Sequence, residues 1–159
     1  VRLVPTNGEA ARVLASIAGD LFLPQSEAAL ISPDGTTIAY LRAGILPDEQ
    51  ELVLYRYGTG ESFSYDSGTI QWKGWGPDSI HFVYAKGSGL DLLLGEVGQP
   101  PRALGSAAGV RWMDEGDYLY LAGTPGDWTL TLGSISEDPI PLVELTASEG
   151  VFVAYDFAR

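Results

Sequence analysis

The segment Ile31-Ser32-Pro33-Asp34-Gly35 returns as Trp75-Gly76-Pro77-Asp78-Ser79, and more loosely as Trp112-Met113-Asp114-Glu115-Gly116. The spacing of these copies, 44 and then 37 residues, constrains the fold more than any other feature of the chain. A period of that size marks stacked units that cannot bury an apolar face alone. Each copy precedes a run rich in apolar and aromatic residues, at 38–41, 80–84 and 118–121. Pro pre-sets the turn, and Asp and Gly tolerate its tight positions, so each copy predicts a hairpin.

A second set of hairpins aligns downstream, with 51–57 leading to Gly58-Thr59-Gly60, 91–97 to Gly98-Gln99-Pro100, and 128–135 to Ser136-Glu137-Asp138. Four strands in roughly 40 residues is the blade period of a β-propeller. The fold class expected is therefore all-β, in four-stranded antiparallel blades. Whole repeats fall at about 28–67, 68–106 and 107–148. Residues 1–15 read as an outer hairpin, because Leu3 to Glu9 followed by Arg12-Val13-Leu14 mirrors 94–104. Together with 149–159, which resemble an innermost strand, they predict a fourth blade split between the ends. Segments 29–31, 70–74 and 110–112 are expected to line the axis.

The blade motif, an apolar or Trp residue, then Ser-Pro-Asp-Gly, then a strand such as Ile38-Ala39-Tyr40-Leu41, is similar to that of the TolB-type, WD-like propeller family. The first repeat carries it intact. The second keeps Trp75, Pro77 and Asp78, and the third is aligned on Trp112, the Asp114-Glu115 pair and Gly116. The resemblance implies a protein- or ligand-binding module of a larger bacterial protein, with an extracytoplasmic setting.

The charge balance bears on partners: 21 acidic residues stand against 9 basic, for a formal net charge of −12. Such a surface repels nucleic-acid phosphates and anionic lipid. The absence of cysteine removes disulfides and thiolate chemistry without naming a compartment. The chain opens on Val1 with no signal-like segment and reads as part of a longer protein. No apolar stretch approaches the roughly 20 residues of a spanning helix.

No catalytic constellation is expected. His81, the sole histidine, lies in the strand pattern Ile80-His81-Phe82-Val83-Tyr84 without a Gly-x-Ser-x-Gly elbow, and reads as a structural residue with a satisfied ring. One histidine cannot supply a His-rich metal centre. Gly58-x-Gly60 and Gly87-x-Gly89 lack the rest of a nucleotide loop and read as turns. The acidic groups Asp48-Glu49, Asp114-Glu115-x-Asp117 and Glu137-Asp138 lack calcium-loop spacing and read as solvated. No cofactor and no metal is therefore expected. Trp72, Trp75 and Trp112 read as wedges between blades.

A partner site is expected on one rim, where the first repeat has its longest loops, at 16–27 and 43–50, against short equivalents at 65–68 and 86–90. Long loops on a rigid scaffold concentrate binding. They carry apolar residues with no evident strand to bury them, Leu21, Phe22, Leu23, Ile45 and Leu46, beside Asp48 and Glu49. Trp128, just after a turn, joins this list. Capping of a blade edge is the competing use. Three functions stand open: a non-enzymatic binding module; a propeller that gates or flanks a hydrolase or peptidase domain; and a unit that completes a ring by self-association. Partners expected are a protein or the rest of a parent chain, or a second copy, without nucleic acid or membrane insertion.

Overall fold

The computed structural model describes residues 30–44, 49–87, 89 and 91–146, together with the strand pairs Arg2–Leu3, Arg12–Val13 and Leu21–Phe22. In chain order the strands are β1 (Arg2–Leu3), β2 (Arg12–Val13), β3 (Leu21–Phe22), β4 (Thr37–Ala43), β5 (Gln50–Arg56), β6 (Ser62–Gly68), β7 (Ile70–Trp75), β8 (His81–Lys86), β9 (Asp91–Glu96), β10 (Gln99–Trp112), β11 (Asp117–Thr124), β12 (Asp127–Ser134) and β13 (Ile140–Thr146). All pairings are antiparallel between neighbours, and the described residues contain no helix.

Blade 1 is β3-β4-β5-β6, blade 2 is β7-β8-β9 with the first half of β10, and blade 3 is the second half of β10 with β11-β12-β13. The handover inside β10 is abrupt. Ser106 still pairs with Asp91 of β9, whereas Ala107 pairs with Ala122 of β11. Gly105, at φ 81°, lies where the register shifts, so one long strand bends from the outside of one blade to the inside of the next. Between blades 1 and 2 a single residue, Thr69, separates β6 from β7. The short loop expected at 65–68 is thus the end of β6.

Alternation with period two makes each blade a sandwich filling. In β8, Phe82 and Tyr84 pack toward blade 1, while Val83 and Ala85 pack toward blade 3. The first interface sets Ala39, Leu41, Leu52 and Leu54 against Ile70, Trp72, Phe82 and Tyr84. The second sets Val83, Ala85, Leu92 and Leu94 against Ala107, Tyr118 and Tyr120. Both follow one rule: an aliphatic face meets the aromatic face of the following blade.

The inner edge of blade 1 departs from the expectation. Of the expected inner segment the described residues Leu30 and Ile31 contribute the isolated bridge Ile31 to Ile38, with the Ala39 N–H donating to the Leu30 carbonyl at 2.8 Å. Leu21 and Phe22, expected in a loop, instead pair with Arg42 and Leu41 of β4. β4 thus pairs with β3 at Leu41 and Arg42 and with Ile31 at Ile38, and 23–29 lie outside the described residues. Of the segments expected to form a split blade, β1 and β2 pair with each other as a separate two-stranded sheet (Arg2 with Val13, Leu3 with Arg12), and 149–159 lie outside the described residues.

Candidate functional site

The three motif turns join inner to second strands and so share one rim. In the first, Ser32 Oγ donates to Asp34 Oδ1 at 2.6 Å, and the same oxygen accepts the Thr36 N–H at 2.9 Å. Ser32 Oγ also accepts the Thr37 N–H at 2.9 Å. The Ser32 hydroxyl and the Thr36 amide hold the Asp34 carboxyl below the ordinary carboxylate range. In the second turn, Asp78 Oδ1 accepts the N–H groups of Ile80 (3.0 Å) and His81 (2.9 Å). In the third, Asp114 Oδ1 accepts those of Gly116 and Asp117, both at 2.8 Å.

The third turn corrects the sequence alignment. The closing bond runs from Ser32 to Thr37 and from Gly76 to His81, but from Met113 to Asp117, one residue shorter. Asp114, not Glu115, therefore takes the place of Asp34, and the proline position is the one deleted.

Where the second turn departs from the motif, the neighbouring blades account for it. Gly76 replaces the motif serine because the Trp112 ring of blade 3 lies over it, 2.9 Å from where a Cβ would stand. Ser79 replaces the motif glycine, keeps its left-handed backbone at φ 64°, and its Oγ accepts the Asp34 N–H of blade 1 at 2.9 Å. Trp75 Nε1 donates to the Leu30 carbonyl at 3.0 Å, locking the same pair of blades.

His81 sits between two carboxylates. Its Nδ1 lies 2.5 Å from Asp78 Oδ2, and its Nε2 lies 3.8 Å from Glu96 Oε2. Burial works against the Asp78 charge, yet bonds from the His81 ring and from two backbone amides outweigh it and hold the carboxyl low. The ring nitrogen that a triad would aim at a hydroxyl faces a carboxylate instead.

Deeper in the interfaces, polar tethers reach buried tyrosines. Asp66 of β6 accepts from Tyr84 Oη at 2.7 Å and from Lys86 Nζ at 2.8 Å. Burial opposes the Asp66 charge, but Lys86 and Tyr84 hold the carboxyl below its ordinary value, while burial and the Asp66 bond push the Tyr84 phenol up. At the second interface Arg102 of β10 donates to Tyr118 Oη at 3.0 Å and to the Ser134 carbonyl. Burial raises the Tyr118 phenol against the opposing pull of Arg102.

The expected partner residues separate. Leu21 and Phe22 lie in β3 on the inner edge of blade 1. Glu49 flanks β5, its carbonyl accepting the Gly44 N–H at 2.7 Å and its side chain lying against Gly44. Leu23, Ile45, Leu46 and Asp48 lie outside the described residues. Trp128 is in blade 3, opposite Gly123 and Leu145, after the turn Thr124-Pro125-Gly126-Asp127 in which Gly126 has φ 95°. The turn before it joins the second and third strands of blade 3, as 44–49 joins those of blade 1.

Two residues not singled out in the sequence recur at equivalent positions. Gly95 lies opposite Phe82 and Gly133 opposite Tyr118, and a Cβ on either would stand 2.3 Å from the ring. The signal was present in the paired strings Leu93-Leu94-Gly95 and Thr131-Leu132-Gly133.

No protein-family model and no curated protein matches the sequence. Among solved structures, the chain is similar to the β-propeller domain of the Trilobed protease from Pyrococcus furiosus, a domain described as having an open velcro topology. The TM-score is 0.61 at 15% identity, over 89% of this chain and 47% of that one. This chain has a β-propeller fold. It spans about half the length of the propeller it matches.

Proposed function

We propose that the chain is a non-enzymatic, TolB-type propeller module that binds a protein or ligand within a larger protein. The observation that carries this reading is where the reactive side chains are spent. The one histidine is tied to Asp78, and Asp34, Asp66, Asp78 and Asp114 each hold a turn or a neighbouring blade. These groups serve to make a stiff scaffold, and stiff scaffolds with variable loops are suited to recognition.

A second reading has its own support: the similar solved propeller is a domain of a protease. In that reading the chain flanks or gates a peptidase domain, and the chemistry is done elsewhere. Light proteolysis of the product of the complete gene, followed by a peptidase assay of the separated fragments, distinguishes the two. A binding module predicts no peptidase activity in any fragment, and a gating module predicts it in a fragment other than 1–159. Activity in 1–159 that His81→Ala abolishes would overturn both.

A further inference from the structure

Asp34-Gly35 is the one Asp-Gly pair of the chain, and its glycine is required by the left-handed backbone at φ 75°. The other two motif turns carry Asp78-Ser79 and Asp114-Glu115 in the same place. In an Asp-Gly pair the backbone nitrogen after the aspartate reaches the side-chain carboxyl most readily, because the residue that supplies it has no Cβ to obstruct the approach. The intact motif thus carries a covalent liability that the two looser copies carry in smaller measure.

The folded turn restrains every group that this attack needs. The Gly35 N–H donates to the Ser32 carbonyl at 2.8 Å. Asp34 Oδ1 accepts from Ser32 Oγ at 2.6 Å and from the Thr36 N–H at 2.9 Å, and the Thr36 hydroxyl lies 3.0 Å from Oδ1 and 2.9 Å from Oδ2. The Asp34 N–H is held by Ser79 Oγ of blade 2 at 2.9 Å. Ser32 and Thr36 keep the carboxyl ionised, and a carboxylate is a poor electrophile. Once released from these donors, the carboxyl is free to rotate toward the Gly35 nitrogen and to take up the proton that makes it reactive. Asp34, Gly35 and Thr36 are all exposed, so water is at hand.

We propose that Asp34 is a self-modification site of this chain, converting to isoaspartate when the first motif turn opens and protected while that turn is closed against blade 2. On opening, the Gly35 nitrogen bonds to the Asp34 side-chain carboxyl carbon. The nitrogen's proton leaves with the carboxyl hydroxyl as water, and a succinimide ring forms. Water then adds at the Asp34 main-chain carbonyl and breaks its bond to the Gly35 nitrogen, so that Gly35 stays attached through the former side chain. Nothing is oxidised or reduced, and the water lost in the first step is regained in the second. The product has one more carbon in its main chain and its carboxylate on the α carbon, so it no longer matches the donors of Ser32, Thr36 and Thr37 or the Ser79 hydroxyl. Local opening of the turn is in this way converted into a lasting loosening of the contact between blades 1 and 2 at the rim.

Ageing the 159-residue chain near neutral pH, then mapping its peptides with fragmentation that separates isoaspartate from aspartate, tests the proposal. Isomerisation leaves the peptide mass unchanged, which distinguishes it from deamidation at Asn7-Gly8. Isoaspartate at 34 is expected to form at least about tenfold more slowly in the folded chain than in the same chain held unfolded in guanidinium, since a bond to the charged carboxyl must be given up first. Thr36→Val removes an exposed hydroxyl from both carboxylate oxygens and should raise the folded-state rate about tenfold on the same arithmetic, with Ser32→Ala as a second probe. A folded chain that isomerises as fast as the unfolded one overturns the proposal, as do parental rates in both variants.

Discussion

The two interfaces between blades use one packing rule and opposite electrostatics. Between blades 1 and 2, Phe82 is ringed by Trp72, Trp75 and Tyr65, with centroids 5.4, 5.2 and 4.8 Å away, and the tether is an anion. Between blades 2 and 3 the rings are Trp112, Tyr118 and Tyr120, and the tether is a cation. Tyr84 donates its hydroxyl to Asp66, while Tyr118 accepts from Arg102. The tethered rings stand at different positions of the repeat, since Tyr118 matches Phe82, each opposite a glycine, and Tyr84 matches Tyr120; either sign of tether serves because a phenol hydroxyl can both donate and accept.

The largest expected asymmetry lies in the tryptophans. Trp72, only 1% exposed, should cost about 3–5 kcal/mol when changed to Ala, through the cavity left between blades 1 and 2. Trp112 is half-buried, so its Ala variant should cost roughly 1.5–3 kcal/mol, mainly lost burial. Thermal or urea unfolding of the two variants ranks the interfaces. Equal losses would mean that the second is as dense as the first.

Gly95→Ala and Gly133→Ala probe what the interfaces share. Each inserts a methyl under an aromatic ring, and each should lose about 1–3 kcal/mol by overpacking. A large loss at one site alone would break the equivalence of the two blades.

The tethers should differ. Tyr84→Phe takes a hydrogen bond from the Asp66 carboxylate, at about 1.5–3 kcal/mol for a bond to a charged group. Tyr118→Phe leaves Arg102 bonded to the Ser134 carbonyl, and should cost less, about 0.5–1.5 kcal/mol.

Acid sharpens the same contrast. The Asp66 and Asp78 carboxyls sit below their ordinary value in the fold, so their stabilisation is present above the unfolded carboxylate pKa, about 3.9, and is lost as pH falls through the lower folded values. Melting temperature followed into acid should fall steeply in the parent chain and less steeply in Asp66→Asn, whose neutral side chain no longer titrates. Arg102→Gln should leave the acid limb unchanged.

Ser79→Gly is expected to have the smallest effect. Relief of a left-handed non-glycine backbone, worth about 1–3 kcal/mol, offsets loss of the bond from Asp34, worth about 0.5–1.5 kcal/mol. Chemical denaturation should therefore place the variant at or slightly above the parent chain.

The all-β class and the propeller blade were legible because turn residues and strand alternation are local: Pro33, Asp34 and Gly35 act within five residues, and a period-two run needs only its neighbours. The partner residues were less legible. Leu21 and Phe22 have no turn signal or repeat to align them, and nothing local shows that they pair with β4. Trp128 was noticed for its place after a turn, but one of its cross-strand partners, Leu145, comes from the next strand rather than from that turn.

The sequence by itself determined where the chain turns, which runs are strands, and that the unit repeats, since these depend on backbone dihedrals and side-chain period. Only the tertiary structure decided why Gly76 and Ser79 depart from the motif and which charged side chains serve as tethers. Each of those depends on a neighbour in another blade, 36 residues away for Gly76 on Trp112, 45 for Ser79 on Asp34 and 18 for Asp66 on Tyr84. A close contact of that range is made by packing blade on blade, and no local propensity encodes it.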